Sequence, residues 1–241
     1  MANLIIDIGN TAVKASWSDG MTLGRTFRYQ GEKVAAYILS LTDRQRPDVM
    51  VVASVYTISD ADAALFRERC NELLLLDGNH KELLEEKELP SYLTYDRAAS
   101  LLAARYLFRG KGCTVFDFGT TLTVDFTDEG GAYTGGNVSL GCRTRLKSLN
   151  RYSRALPLLN QPEEVPVVGM DFESSIGAGV VSGIMFEIEG YIALHPEHVI
   201  VFTGGDAIYF ANRMKNSIFV ICNLVLMGLA LIADEHVKKS N

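Results

Sequence analysis

A short acidic phrase occurs twice in this 241-residue chain. Ile6-Asp7-Ile8-Gly9-Asn10-Thr11 returns as Phe116-Asp117-Phe118-Gly119-Thr120-Thr121. Each copy sets an aspartate at the end of an apolar run, then turns through glycine and a hydroxyl or amide residue. Glycine lets backbone amides come close to phosphate oxygens, and a carboxylate is a natural ligand for a hard cation such as Mg2+. The first copy adds the Thr11 hydroxyl and the Lys14 charge, so it suits phosphate and its metal. At the same spacing after Asp117 stands Val124, not lysine, so Asp117, Gly119, Thr120 and Thr121 suit cation and hydroxyl contacts. The D-x-G-N-T-x-x-K spacing is not a Walker loop, which ends in GK[ST]. One copy alone reads equally well as a plain hairpin turn. Two copies facing each other can hold a polyphosphate and its metal, which is the chemistry of phosphoryl transfer.

Other groups carry weaker signals. Tyr95-Asp96-Arg97 opens a helical stretch, where an acid beside an arginine is often simple capping. Its functional reading makes Asp96 a base for an alcohol and Arg97 the partner of an anionic group. Gly135-Gly136-Asn137 with Gly141, and Thr203-Gly204-Gly205-Asp206, are turn sequences. The second follows an apolar run, and its glycines would let a base or ribose lie against the backbone. His195-Pro196-Glu197-His198 has metal-ligand residues, but the proline spoils a helical i, i+3 pair. Arg143, Arg145, Lys147, Arg151 and Arg154 form a basic run that reads as a solvated helix face.

The elements that must position these residues follow an order. Leu4 to Asp7, Val13 to Trp17 and Thr22 to Tyr29 read as strands, and Glu32 to Leu41 as a helix. Val49 to Val55 is a buried strand, Ser59 to Cys70 a helix capped by Ser59, and Leu73 to Leu76 a strand. The charged stretch Lys81 to Glu88 reads as solvated surface, and Arg97 to Arg109 as a connecting helix. Thr114 to Asp117, Thr121 to Asp125 and Ala132 to Val138 then repeat the three opening strands. Arg143 to Arg154 and Glu173 to Leu194 read as helices, Val199 to Thr203 as a buried strand. Ile218 to Ala233 is apolar but short for a membrane span and contains Asn223 and Gly228, so it reads as a buried strand and a packed helix.

Bulk properties narrow the classes. Hydrophobic residues make up 48% of the chain, enough for a large core. A net charge of -6 argues against a general nucleic-acid or membrane-surface binder. No basic segment followed by a long apolar one opens the sequence, which predicts no secretory signal. Cys70, Cys113, Cys142 and Cys222 are scattered without a CxxC and read as reduced structural thiols.

Taken together the motifs resemble the type III pantothenate kinases, within the acetate and sugar kinase, heat-shock chaperone and actin superfamily. The D-x-G-N-T-x-x-K motif is intact from Asp7 to Lys14, and Asp117 to Thr120 matches D-x-G-T. The G-x-D-R motif appears, altered, as Thr94-Tyr95-Asp96-Arg97 and G-G-x-I-x-P-G, altered, as Gly135 to Gly141, while Ser175 to Gly179 matches S-I-x-x-G and Thr203 to Gly205 matches T-G-G. The resemblance implies an α/β chain with the duplicated ribonuclease H-like (actin-like ATPase) fold. Its two lobes, 1–112 and 113–241, would each have a mixed five-stranded sheet with flanking helices. It implies ATP-dependent phosphorylation of pantothenate to 4'-phosphopantothenate, the first step of coenzyme A biosynthesis, by a cytoplasmic homodimer with sites near its interface. Asp7, Ile8, Gly9, Asn10, Thr11, Ala12, Val13, Lys14 and Thr120 would contact ATP, with Mg2+ or another divalent cation. Thr94, Tyr95, Asp96, Arg97 and Phe172 would contact pantothenate, with Asp96 as base, and Asp117 would hold K+ or NH4+. No nucleic-acid or membrane partner is implied. Three positions depart from the family pattern: Thr94 replaces glycine, Leu140 replaces proline, and Phe172 stands where a substrate-binding threonine is common. Thr94 and Phe172 keep open a same-fold kinase for another small alcohol, and the basic run from Arg143 keeps open a non-catalytic ATP-binding relative.

Overall fold

The computed structural model describes residues 2–240. They divide into two compact units, one of the residues up to Leu107 together with those from Asn223 onward, the other Phe108–Cys222.

The first unit begins with β1 (Asn3–Ile8), β2 (Val13–Asp19), β3 (Thr22–Tyr29) and α1 (Val34–Ser40). It continues with β4 (Val49–Ser54), α2 (Asp60–Glu68), β5 (Glu72–Leu76), α3 (Glu82–Glu86) and α4 (Tyr95–Leu107). Its sheet has the order β3-β2-β1-β4-β5, antiparallel on the β2 and β3 side and parallel on the β4 and β5 side. Strand alternation sends Leu4, Ile6 and Ile8 to one face, where they pack with Val13, Met50, Val52, Ile38 of α1 and Phe66 of α2. Asp7 therefore points to the opposite face. Every residue of β4 is buried, as expected for an inner strand with parallel neighbours. The Ser59 hydroxyl accepts the Asp62 N–H at 3.1 Å and starts α2, with Asp60 and Asp62 in its first turn. The 81–88 stretch is not wholly solvated: α3 buries Leu84.

The second unit contains β6 (Cys113–Phe118), β7 (Thr121–Thr127), β8 (Tyr133–Leu140), α5 (Cys142–Tyr152) and α6 (Phe172–Leu194). It ends with β9 (Val199–Gly204), α7 (Ala207–Ala211) and β10 (Ile218–Val220). The sheet order β10-β9-β6-β7-β8, with β6 antiparallel to β7 and parallel to β9, repeats the first unit's pattern. Phe118 is the hub of its core, 4.8 Å from the Phe202 ring and 5.1 Å from that of Phe210. By length and hydropathy alone α6 could cross a membrane. Its Ile176, Val180, Val181, Ile184 and Ile188 instead pack into this core. β10 is an edge strand with Phe219 and Val220 exposed, so the buried strand expected there is only half buried.

The last helix, α8 (Leu224–Ser240), belongs to the first unit. Leu224, Leu226, Leu229 and Ala230 are fully buried. Gly228 lies so close to α4 that an added Cβ would stand 1.9 Å from the Ala99 carbonyl oxygen. Compact units and consecutive lobes thus differ in this helix. An apolar run shows that a helix is buried, but not against which sheet.

Candidate active site

The first acidic hairpin joins β1 to β2. Ile8 pairs with Val13, so Gly9, Asn10, Thr11 and Ala12 form the turn, closed by the Gly9 N–H donating to the Ala12 carbonyl at 3.1 Å. One step further, Asp7 pairs with Lys14. Residues directly opposite in an antiparallel pair project to the same face with Cβ atoms about 4.5–5.5 Å apart. The motif spacing therefore places the Asp7 and Lys14 side chains next to each other on the face opposite α1 and α2. Asp7 is buried, Lys14 partly exposed, and Asn10 and Thr11 lie open at the tip. Nothing in the fold requires glycine at position 9. Its φ is not positive, and a Cβ would meet only the Ala12 carbonyl oxygen at 3.4 Å.

The second hairpin joins β6 to β7 with a turn one residue shorter. Phe118 pairs with Leu122, and the Gly119 N–H donates to the Thr121 carbonyl at 3.0 Å. Asp117 consequently faces Thr123, whereas Val124 pairs with Phe116 and enters the core. The expectation that Val124 occupies the lysine's place is thus corrected by register: Thr123 occupies it. Gly204, at φ +92, abuts this hairpin, and a Cβ there would lie 2.4 Å from Asp117 Oδ1 and 2.5 Å from the Phe118 carbonyl oxygen. Gly141 begins α5 against the same turn, its N–H donating to the Thr120 carbonyl at 3.0 Å. A Cβ at Gly141 would come within 2.1 Å of the Gly119 carbonyl oxygen. Thr144 donates its hydroxyl to the Thr120 carbonyl at 2.6 Å. These two glycines are demanded by packing around Asp117, while Gly119 and Gly205 have room for a Cβ. Asp206 lies beyond them; burial pushes its carboxyl up, and Arg143, 3.9 Å away, opposes the shift only partly.

The Thr94-Tyr95-Asp96-Arg97 segment starts α4. The Thr94 carbonyl accepts the Ala98 N–H at 3.0 Å, and Asp96 Oδ1 accepts the Arg97 N–H at 2.9 Å. Asp96 and Arg97 are both partly exposed. Tyr95 is buried, donates its hydroxyl to the His80 carbonyl, and has a phenol held well above its usual pKa by burial and then by Glu82 and Asp77. Its side chain anchors the helix start. Beneath it lies Asp77, 1% exposed, a group that sequence reasoning missed. It accepts the Ile58 N–H at 2.8 Å and the Asn79 N–H at 2.9 Å, and lies 2.8 Å from His80 Nδ1. Burial alone would raise its pKa; these bonds outweigh burial and leave it below the usual carboxylate value.

Phe172 is the first residue of α6, behind an Asp171–Ser174 capping box, and is 66% exposed. The Gly135-Gly136 pair lies within edge strand β8, not in a turn. Within the basic run Arg145 is committed to packing: it pairs with Glu187 and donates to the Ser139 hydroxyl at 3.1 Å. The thiols of Cys70, Cys113 and Cys142 are buried with raised pKa values, that of Cys142 at about 11, each chiefly through burial.

The family model of type III pantothenate kinase matches residues 3–194. The chain is 36% identical to the type III pantothenate kinase of Bacteroides fragilis over 237 residues, covering 96% of this chain and 97% of that protein. It is also 36% identical to that of Phocaeicola vulgatus over 245 aligned positions, covering 98% and 99%. Among solved structures, the activator of 2-hydroxyisocaproyl-CoA dehydratase from Clostridium difficile, with bound ADPNP, is similar with a TM-score of 0.60 at 14% identity, covering 100% of this chain and 97% of that one. The repeated strand order is that of the duplicated ribonuclease H-like fold of actin-like ATPases. On the family match and these full-length identities, the chain belongs to the type III pantothenate kinase family.

Proposed function

We propose that this chain transfers the γ-phosphoryl group of ATP to the primary hydroxyl of pantothenate, giving 4'-phosphopantothenate, the first step toward coenzyme A. The observation that carries this reading is the Asp7–Lys14 cross-strand pair, built by an intact motif on a chain of that family. A loose phosphoryl-transfer transition state asks mainly for positioning and charge neutralisation.

In this reading Asp7 holds Mg2+, directly or through water, and Lys14 neutralises phosphate charge. The backbone from Ile8 through Val13, with Asn10 and Thr11, receives the phosphate oxygens, and Thr120 contacts the nucleotide. A bound divalent ion supplies further charge neutralisation on the phosphates. The turns suit such a ligand: Gly9 and Gly119 have no positive φ and leave open the space a side chain would fill. Asp117 holds K+ or NH4+. Asp96 orients the pantothenate hydroxyl and accepts its proton late, Arg97 pairs with the pantothenate carboxylate, and Thr94 and Phe172 border the acceptor. Tyr95 serves by fixing the start of α4. The chain works as a cytoplasmic homodimer, without a nucleic-acid or membrane partner.

The test is a coupled ADP-release assay over pantothenate, pantetheine and sugars. Turnover of pantothenate is expected. Turnover of a sugar and none of pantothenate would assign the chain to another small alcohol, the reading to which Thr94 and the exposed Phe172 point. Asp96→Asn should abolish turnover and leave nucleotide binding nearly unchanged; a variant as fast as the parent would remove Asp96 as base. Nucleotide binding without turnover of any acceptor would identify a non-catalytic relative.

A further inference from the structure

The turn between α6 and β9 lies just past the residues matched by the family model, and it gathers three metal-ligating side chains. His195 ends α6 as its C-cap. The His198 N–H donates back to the His195 carbonyl at 3.1 Å, which makes His195-Pro196-Glu197-His198 a β-turn. Proline is favoured at its second position because its φ is preset. The residue that prevents a helical histidine pair thus produces a turn that brings both rings to one side. Those rings stack at 4.4 Å between centroids. Glu197 Oε1 lies 3.7 Å from His195 Nδ1 and 3.5 Å from His198 Nε2.

We propose that His195, Glu197 and His198 form a binding site for a borderline divalent ion of the zinc class, separate from the Mg2+ assigned to the nucleotide. All three donor atoms lie within 4.8 Å of one another. Tetrahedral coordination with bonds of about 2.0–2.1 Å sets donors about 3.3 Å apart. Both carboxylate–imidazole separations are already near that value. The remaining closure falls on His195, which turns out of the stack at the partly exposed end of its helix and away from the Phe126 ring, 5.2 Å from its own. His198 is the fixed ligand. Its side chain is 8% exposed, and its Nδ1 lies 3.0 Å from the Thr114 hydroxyl. Thr114 can accept the Nδ1 proton, which leaves the Nε2 lone pair turned toward Glu197; an oriented second nitrogen of this kind is what metal-bound imidazoles use. Two imidazoles and one carboxylate favour zinc, nickel, cobalt or copper over magnesium.

The site lies at the opposite end of the strands from the acidic hairpin. Val199 pairs with Cys113, whereas Asp117 is four residues further along β6, about 13 Å away at strand rise. An ion there takes no part in chemistry at Asp117. It ties the end of α6 to the start of β9, so its effect is on the stability of the second unit.

The experiment is calorimetric titration of tag-free, full-length protein with ZnCl2 in excess Mg2+, with thermal unfolding in parallel. One Zn2+ per chain at micromolar affinity and a raised Tm are expected. His195→Ala and Glu197→Gln, both on accessible side chains, should each weaken binding by about 10-fold or more and reduce the Tm gain, and Thr114→Val should weaken it by about 10-fold. Cys222→Ser, at the exposed thiol, should change nothing. No saturable zinc binding in the micromolar range, or equal affinity in parent and His195→Ala, would overturn the site.

Discussion

The two acidic hairpins share a phrase but not a length. In the first, the turn is long enough to bring Lys14 opposite Asp7; in the second, the turn is one residue shorter and brings Thr123 opposite Asp117. A single residue therefore decides whether an aspartate is answered by a fixed positive charge or by a hydroxyl. The same difference exchanges which residue enters the core, because strand side chains alternate. The surrounding glycines differ as well. At the first hairpin Gly9 is not required by the fold; at the second, Gly204 and Gly141 are held against the turn by close backbone contact. Both turn glycines, Gly9 and Gly119, leave room for a Cβ, but only the second turn is also held from outside, by Gly204 and Gly141.

The largest expected effect comes from removing the fixed charge. Lys14→Ala should lower turnover by about 10^2–10^3-fold with unchanged circular dichroism, comparable to removing one preorganised electrostatic group. Thr123→Val should cost far less, and an equal loss from both would erase the distinction between the hairpins.

The glycines separate next. Gly204→Ala imposes a positive φ on alanine and a clash with Asp117, so we expect a loss of about 3 kcal/mol or more and a Tm lower by roughly 6–12 °C. Gly9→Ala should leave Tm within about 2 °C yet reduce activity, since the methyl would occupy space assigned to phosphate. Equal Tm losses would show that both turns are packed alike.

Buried acids of the two units should respond to pH in opposite senses. The Asp77 carboxyl is lowered on folding, so its stabilisation is complete above the unfolded pKa near 3.9 and lost as pH falls through the folded value. Asp77→Asn should lower Tm by about 2–6 °C at pH 7, with the difference shrinking in acid. The Asp206 carboxyl is raised, so its ionised form opposes folding above the folded pKa. Asp206→Asn should hold or raise Tm at pH 7. A drop in Tm for Asp206→Asn matching that of Asp77→Asn would contradict this.

The smallest effect concerns the cation assigned to Asp117. Exchange of K+ for Na+ should depress activity several-fold, within the range of one coordinating contact. Thr123→Lys would place an ammonium opposite Asp117, as Lys14 stands opposite Asp7, and should remove that dependence. Indifference of the parent to the exchange would take Asp117 out of the cation role.

Most strands were legible because their β-branched runs are long and bounded by glycine or aspartate, and Ser59 announced its helix by capping chemistry. Register was not legible at the second hairpin. Asp117 and Val124 have the same spacing as Asp7 and Lys14, and only the turn length distinguishes them. Short α7 was missed because Ala207–Ala211 has too few residues to show a period. Asp77 was missed because its burial and its bond from the Ile58 N–H come from a segment 19 residues away, while its local partners Asn79 and His80 look like an ordinary turn. The proline at 196 was read as a helix breaker, which it is; that a breaker also sets a turn became evident from the backbone. The need for glycine at 204 and 141 arises from neighbours far along the chain, which no local pattern encodes.

The return of α8 to the first sheet also orders the birth of the molecule on the ribosome. Domains usually form from the N-terminus onward during synthesis. Here the unit that starts the chain lacks Leu224, Leu226 and Leu229, and the Gly228 contact with Ala99, until translation has passed the whole of the other unit. The middle of the polypeptide can mature while its beginning waits, with one face of α4 still uncovered.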